Sequence, residues 1–333
     1  MSDSGRYRIV LALLSAATAA LFVLSLVVGP AGLGISDALA SLYSGGDEGM
    51  GLIMREIRLP RAILGLMIGV TLGLSGAALQ GYLRNPLAEP GLLGISASAS
   101  LGAVIAIYTG LSAAFPLGLP LAALTGSVVA VLVVQTMAGA RGGALTVILA
   151  GVAVSSFAAA MTSLALNLSP NPFAALEIMF WMLGSLTDRS MTHVWLAGPF
   201  MVAGWAMLAA LGRPLDALTL GEDAAASMGV NLRRVQFLAV FGAAASVGAA
   251  TAVAGAIGFI GLVAPHLLLP LVGSLPSRLL PASALGGACL LLAADILVRV
   301  IAPDKDLKIG VLTAIIGAPF FLWLVYRMRR KLL

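Results

Sequence analysis

The chain has 333 residues, of which 60% are hydrophobic and only 10% charged, and its mean hydropathy is +1.06. A soluble domain carries about 25% charged residues, so this composition excludes a soluble globular protein and predicts an all-α, polytopic membrane protein. The net charge of +5 does not indicate nucleic-acid binding, because the basic residues lie in short segments between apolar runs and form no basic stripe. The single cysteine, Cys289, excludes an intrachain disulfide and a Cys-based metal site.

A transmembrane helix needs about 20 mainly apolar residues, and splitting the chain at polar and Gly/Pro-rich breaks predicts about ten of them. The predicted spans are 9–28, 62–80, 91–109, 119–138, 144–166, 191–211, 235–254, 256–271, 279–301 and 309–327. The eighth is short and broken by Gly258, Gly261 and Pro265. The first follows Arg6 and Arg8 and is too long for a cleaved signal sequence, so we expect it to be retained.

The distribution of Lys and Arg predicts the orientation of these spans. With a cytoplasmic N-terminus, twelve of the nineteen basic residues fall on the cytoplasmic side: Arg6, Arg8, Arg84, Arg141, Arg213, Arg233, Arg234, Arg278, Arg327, Arg329, Arg330 and Lys331. The other seven are Arg55, Arg58, Arg61, Arg189, Arg299, Lys305 and Lys308. We therefore expect one transmembrane domain over residues 1–333, with both termini in the cytoplasm. The cluster of Arg55, Arg58 and Arg61 on the outer side indicates a functional role.

Two local patterns predict how parts of the bundle are built. Gly65, Gly69 and Gly73 recur every four residues in the second span, a spacing that lets helix backbones approach closely. The longest cytoplasmic segment, 212–234, is more apolar and more helix-prone than a solvated loop. It predicts two short helices joined by a turn, and we favour a surface that docks a partner over a plain loop.

Residues that could carry chemistry are few. No phosphate-binding loop of the G-x-x-x-x-G-K-[ST] type occurs. His193 and His266 stand alone, which favours structural histidines over metal ligands. Asp295 is the exceptional acid within a span, and Arg299 four residues later makes an internal ion pair its favoured role. An ion-coupled secondary carrier or a channel stays open as an alternative, whereas a membrane enzyme would need a clustered catalytic set that we do not find.

Several sequence blocks are spread over nearly the whole chain: Arg58-Leu-Pro-Arg61, Gln80, Asn85-Pro-Leu-Ala-Glu-Pro-Gly-Leu-Leu-Gly94, Trp181-Met-Leu-Gly-Ser185, 220–230, 255–266, Ala294-Asp295 with Arg299, and Gly317-Ala-Pro-Phe-Phe321. In sequence and in order, these blocks resemble the permease family of bacterial importers for iron-siderophores, haem and vitamin B12. The resemblance implies a transmembrane subunit of a type II ATP-binding-cassette importer in the bacterial inner membrane. Such permeases form ten-span bundles.

The same resemblance implies partners and sites. The partners would be a separate ATPase subunit, a periplasmic substrate-binding protein, a second permease copy and membrane lipid, with no nucleic acid and no cofactor. The coupling segment, which binds the ATPase subunit, would comprise Leu220, Gly221, Glu222, Asp223, Ala224, Ala225, Met228 and Gly229. Arg58, Arg61 and Arg299 match outward-facing arginines that form exposed ion pairs with the binding protein.

No residue is expected to perform bond chemistry or to bind a metal. The translocation path is expected to be lined by small and hydroxyl side chains, for which we name Ser96, Ser98, Ser100 and Thr162. The expected cargo is a metal chelate, with a ferric siderophore favoured over cobalamin and haem. Two positions depart from the family pattern: Leu269, before Pro270, replaces an arginine, and Lys308, within Asp306-Leu-Lys-Ile-Gly310, replaces a proline.

Overall fold

The computed structural model of the protein describes residues 3–29, 48–115, 117–139, 143–169, 172–303, 305 and 307–332. These residues form helices and their connections, with no β-strand among them. Arg141, Asp306 and the side chains of Arg329, Arg330 and Lys331, named above, lie outside the described set. The all-α class predicted from composition is confirmed.

The helices are numbered in chain order over the described ranges. They are α1 (Asp3–Val27), α2 (Glu48–Leu52), a π-helix (Ile53–Arg58), α3 (Leu59–Leu83), a 3₁₀ turn (Pro90–Leu93), α4 (Ile95–Tyr108), α5 (Leu111–Ala114), α6 (Gly118–Ala138), α7 (Ala144–Asn167), α8 (Pro172–Met182), α9 (Met191–Ala209), α10 (Gly212–Leu218), α11 (Glu222–Ser227), α12 (Leu232–Ala254), α13 (Ile260–Val272), α14 (Pro276–Ile301) and α15 (Ile309–Leu332).

Eight helices within the described residues are long and apolar enough to cross a membrane. They correspond to eight of the ten predicted spans. The other two, α4 and α13, are shorter apolar helices at the predicted positions. The prediction missed α8, because its 11 residues are too few to span a bilayer and it follows a break containing Pro170.

The pair of α3 and α14 forms the most extensively packed part of the bundle. A Cβ on Gly69 would lie 2.5 Å from the Cα of Ala288, and a Cβ on Gly73 would overlap the carbonyl group of Ser283. Only a residue without a side chain lets the two backbones approach this closely. The close packing predicted from the glycine spacing is therefore confirmed, and α14 is the partner.

A non-helical segment, residues 255–259, separates α12 from α13. Gly255 has φ 73° and Phe259 has φ 68°, a left-handed conformation that is uncommon for a residue with a side chain. Just after this segment in the chain, Gly261 of α13 packs against Gly76 of α3. Gln80 of α3 donates a hydrogen bond from its Nε2 to the Gly261 carbonyl at 3.3 Å. The predicted interruption of the eighth span is thus present.

The bundle has two ends, which we name by residues. At the Arg61 end lie the C-terminus of α1, the N-terminus of α3 and the C-terminus of α14. At the Glu222 end lie the C-terminus of α3 and the helices α10 and α11. Because a helix rises about 1.5 Å per residue, the 25 residues of α3 separate the two ends by roughly 36 Å.

Candidate docking and coupling sites

At the Arg61 end, two arginines share one buried carboxylate. Asp295 lies on α14 with its side chain 1% exposed. Its Oδ1 accepts from Arg61 Nε at 2.9 Å and Nη2 at 2.8 Å, and its Oδ2 accepts from Arg299 Nη2 at 2.6 Å. The ion pair predicted between Asp295 and Arg299 is confirmed, and Arg61 joins it from a helix 234 residues away in sequence. Such pairs keep a buried charge satisfied.

Arg58 and Arg299 cap the C-terminus of α1. Arg58 Nη1 donates to the carbonyls of Leu26 at 2.9 Å and Val27 at 2.8 Å. Arg299 Nη1 donates to the carbonyls of Ser25 at 2.8 Å and Val28 at 2.7 Å. The last carbonyls of a helix have no partner within the helix and carry partial negative charge. Two guanidinium groups therefore supply donors to four consecutive carbonyls.

This geometry corrects the expectation that these arginines form exposed ion pairs. Arg58 is only 5% exposed, and the side chains of Arg61 and Arg299 are 15% and 9% exposed. Each is bonded within the chain, because the end of α1 and the carboxylate of Asp295 offer acceptors at the same place. Arg55, one turn earlier in the π-helix, is the exposed arginine of the predicted cluster.

At the Glu222 end, residues 212–234 form the two short helices predicted from the sequence. Gly221 (φ 108°) and Gly229 (φ 86°) adopt backbone conformations that favour glycine, and they set the turns on both sides of α11. Ala225 is fully buried, whereas Leu220 and Met228 are 68% and 62% exposed. The segment thus presents two apolar side chains on its surface.

Two polar contacts join this segment to the ends of long helices. Arg84 directly follows α3 and has φ 47°. Its Nη2 lies 3.2 Å from Oε1 of Glu222. Asp216 Oδ1 accepts from the backbone N–H of Ser277, at the start of α14, at 2.9 Å. The helices α3 and α14 therefore connect the short helices at the Glu222 end to the arginines at the other end. The remaining members of the predicted segment, Asp223 and Ala224, lie in the first turn of α11.

The contacts of the four predicted path residues, as far as the structure describes them, do not place these residues around one cavity. Ser98 is buried at the contact of α4 with α6 and lines an apolar cavity of about 630 Å³. Ser96 accepts a hydrogen bond from Thr251 on α12 at 3.4 Å, a different side of α4. Ser100 and Thr162 are buried. Their assignment to a path stays a prediction.

Both histidines have structural contacts. His193 Nδ1 accepts from the backbone N–H of Ser190 at 3.2 Å and completes the N-terminal cap of α9. The ring of His266 meets that of Phe320 edge-on at 5.7 Å. No group of three or more potential metal ligands occurs among the described residues. No residue pattern predicts the contact of Arg84 with Glu222, since exposed charges are common in such segments.

Comparison with known proteins agrees with this architecture. The chain is similar to the Fe(3+) dicitrate transport system permease protein FecD of Escherichia coli (37% identity over 88% of this chain and 90% of the relative). It is also similar to the vitamin B12 import system permease protein BtuC of Vibrio vulnificus (36% identity over 97% of this chain and 95% of the relative). A third relative is the hemin transport system permease protein HmuU of Yersinia pestis (34% identity over 86% of this chain and 86% of the relative).

A solved structure and a family model extend the comparison. An inward-facing metal-chelate type ABC transporter superposes with a TM-score of 0.85 at 30% identity, covering 96% of this chain and 99% of that one. The model of the FecCD transport family matches residues 17–327, which include every motif block, the arginine cluster and the two short helices at the Glu222 end. On this match and these relatives, the chain belongs to the FecCD transport family.

Proposed function

We propose that the chain is the transmembrane permease of an ABC importer that moves a metal chelate from the periplasm to the cytoplasm by alternating access. The observation that carries the proposal is membership of a family whose relatives are permeases for iron dicitrate, hemin and vitamin B12. The cargo we favour is a ferric siderophore, with cobalamin and haem as further candidates. The protein would lie in the bacterial inner membrane with both termini in the cytoplasm.

ATP hydrolysis that drives transport would take place on a separate ATPase subunit bound at the Glu222 end. Leu220 and Met228 offer exposed apolar side chains, and Glu222 and Asp223 offer charge beside them. Apolar anchors with a charged rim are typical of protein–protein interfaces. Since Glu222 contacts Arg84 and Asp216 contacts the start of α14, a movement of this segment would be transmitted to both helices.

A periplasmic binding protein would dock at the Arg61 end. Arg61 and Arg299 share the carboxylate of Asp295, and Arg58 bonds to the backbone carbonyls of Leu26 and Val27, so these four side chains together carry a net positive charge. Acidic side chains of a partner would compete with Asp295 and with the α1 carbonyls for Arg58, Arg61 and Arg299. We expect docking to rearrange these bonds, because all three arginines already have acceptors in the free chain. A second permease copy would complete the path.

Reconstitution tests the proposal. The permease is assembled in liposomes with its ATPase subunit and binding protein, and uptake of ⁵⁵Fe-labelled chelates and of cobalamin is followed with ATP and with ATPase-inactive subunits. We expect uptake only with ATP hydrolysis. Uptake that persists without ATP but requires an ion gradient would instead support a secondary carrier.

A further inference from the structure

A cavity of about 410 Å³ opens between α13 and α15. Its wall is mainly apolar and aromatic: Leu267 and Leu269 come from α13, and Phe320 and Trp323 come from α15, with Arg327 one turn further along. The lining contains no carboxylate among the described residues. The volume falls in the range of about 300–1,000 Å³ that small-molecule sites occupy. None of the roles proposed above uses this cavity.

The cavity lies at the Glu222 end of the bundle. Because α1 ends at the Arg61 end, its first turns lie at the Glu222 end. There Arg6 Nη2 donates to the carbonyl of Pro270, which also lines the cavity, at 3.1 Å. Asp216 of α10 accepts from Ser277 a few residues later, at 2.9 Å. The second half of α13 therefore runs towards the Glu222 end, with α1 beside it.

The length of α15 places its last turns at headgroup depth. The helix starts beside the end of α12, where Gly310 N–H donates to the carbonyl of Gly184 at 3.3 Å. Arg327 follows Ile309 by 18 residues, a rise of roughly 27 Å. The hydrocarbon core of a bilayer is about 30 Å thick. The apolar wall of the cavity thus faces the hydrocarbon, and the guanidinium of Arg327 lies near the polar surface.

Aromatic rings support this guanidinium. Cζ of Arg327 lies 5.3 Å from the centre of the Trp323 ring, and the Phe320 ring lies 5.6 Å from that of Trp323. A guanidinium over an aromatic face is stabilised by the ring quadrupole. Tryptophan is enriched where a membrane meets water, since its ring is apolar and its N–H is polar. The exposed Trp323 and Arg327 therefore have the chemistry of a lipid-facing helix end.

The charge at the edge of the cavity is positive. Arg6 and Arg327 are both exposed, and neither pairs with a carboxylate in the part of the chain that the structure describes. A guanidinium has five N–H donors, of which Arg6 uses one on the Pro270 carbonyl. Leu269 lies on the wall at a position where the family pattern has arginine, so the cations are confined to the edge and the groove itself is apolar.

We propose that this cavity binds an anionic phospholipid, with an acyl chain against Leu269 and Trp323 and the headgroup phosphate between Arg6 and Arg327. Basic pockets between transmembrane helices at a membrane surface bind such headgroups. A symmetric contact between two copies is disfavoured, because it would bring two basic patches of the same kind together. The leaflet is the one at the Glu222 end, and only its identity as the cytoplasmic leaflet rests on the proposed orientation.

Lipid binding to the purified full-length permease tests the site. The protein in a non-ionic detergent is titrated with phosphatidylglycerol or with phosphatidylcholine of the same chain lengths, and native mass spectrometry counts the bound lipids. The variants are Arg6→Gln, Arg327→Gln and Arg327→Lys. Arg8→Gln is the matched control, since it removes an exposed arginine from the same turn of α1 but on a different side of the helix. Thermal unfolding verifies that each variant is folded.

We expect the wild type to bind phosphatidylglycerol at least about tenfold more tightly than phosphatidylcholine. Arg6→Gln and Arg327→Gln should each weaken phosphatidylglycerol binding about fivefold, the attraction that one basic residue near the membrane surface contributes. Arg327→Lys keeps the charge and should lose less than Arg327→Gln, and Arg8→Gln should bind as the wild type. An excess of glycerol 3-phosphate should not displace the lipid, because it has no acyl chain to fill the apolar groove.

Three results would overturn the lipid site: equal binding of the two lipids by the wild type, equal losses in Arg8→Gln and Arg6→Gln, or displacement by glycerol 3-phosphate, which would indicate a site for free phosphate. The same spectra report the oligomeric state. Fewer dimers in the cavity variants with unchanged phosphatidylglycerol binding would assign this face to a contact between copies, against the proposal. The assay contains no ATPase and no chelate, so its outcome is separate from that of the transport test.

Discussion

Arg84 and Glu222 lie 3.2 Å apart although 138 residues separate them in sequence, and they join the end of α3 to the start of α11. The pair is half-exposed, so its stabilisation is small, about 0.5 kcal/mol. The pair is important because of the two elements that it connects. Helix α3 runs the depth of the bundle, and α11 belongs to the segment proposed to bind the ATPase subunit.

Exchanging the two charges tests this connection. We expect Arg84→Glu and Glu222→Arg each to reduce ATP-driven uptake at least about twofold, as an exposed pair of this strength implies. The double variant should recover most of the loss, while the thermal midpoint stays close to that of the wild type. Uptake in reconstituted liposomes measures the effect, and a double variant no better than either single variant would argue against a direct link.

Removal of the shared carboxylate should destabilise the protein strongly. Asp295→Asn leaves Arg61 and Arg299 without their ionic partner at a buried position, a change that costs about 3–5 kcal/mol. Thermal unfolding in detergent measures it. The control is Glu177→Gln, which neutralises an exposed acid at the same end of the bundle. Equal midpoints for Asp295→Asn and the control would show that the carboxylate is not what holds the arginines.

Gly73 should tolerate no side chain. In an ordinary helix, Gly to Ala stabilises by up to about 1 kcal/mol, but here the added Cβ would overlap the Ser283 carbonyl and force α3 away from α14. We expect Gly73→Ala to lower the thermal midpoint. Gly258→Ala is the control, because its Cβ would meet nothing within 4 Å. A midpoint of Gly73→Ala at or above that of the control would contradict the packing argument.

The exposed side chains at the Glu222 end should govern affinity for the ATPase subunit. We expect Leu220→Ser combined with Met228→Ser to weaken binding by more than about 1 kcal/mol, the threshold that marks interface anchors. Leu275→Ser, which alters another exposed leucine, at the start of α14, is the control. Binding is measured by titrating the ATPase subunit onto immobilised permease. A control variant that loses as much affinity would indicate a non-specific apolar effect.

The half-buried carboxyl of Glu89 should make stability depend on pH. Burial raises the pKa of Glu89, and a hydrogen bond from the Phe259 N–H offsets part of that rise. Because the folded pKa then lies above the unfolded value, stability should fall as the pH rises through that interval and level off above it.

The substitution Glu89→Gln removes this titration. The variant should unfold at a higher temperature than the wild type at neutral pH, and the two should converge at acidic pH, where Glu89 is protonated in both states. Thermal unfolding across a pH series measures the difference. A gap that widens towards acidic pH would show that the sign is wrong.

The sequence predicted the parts of this fold that hydrophobicity and glycine spacing determine. The long apolar runs, the contact face of Gly69 and Gly73, and the ion pair of Asp295 with Arg299 follow from local patterns. The pairing of Arg61 with Asp295 depends on which helices become neighbours, and no local pattern encodes that.

The capping of α1 by arginines could not be predicted from the sequence either, for a different reason. The acceptors at Leu26 and Val27 are backbone carbonyls, which every residue carries, so no residue type marks them. The same cause explains the wrong expectation of exposed arginines: the composition identified charged groups on the outer side but not the acceptors that a neighbouring helix end would present to them.

The cap on α1 has a consequence for the order in which the protein is made. Arg299 follows Val28 by 271 residues, so it leaves the ribosome long after α1 has been inserted. Synthesis proceeds at about 5–20 residues per second, which leaves two of the four carbonyls at the end of α1 without their arginine for roughly 14 seconds or longer. The C-terminal cap of α1 is therefore completed only after α14 has been made, and truncated chains that end before α14 should hold α1 loosely.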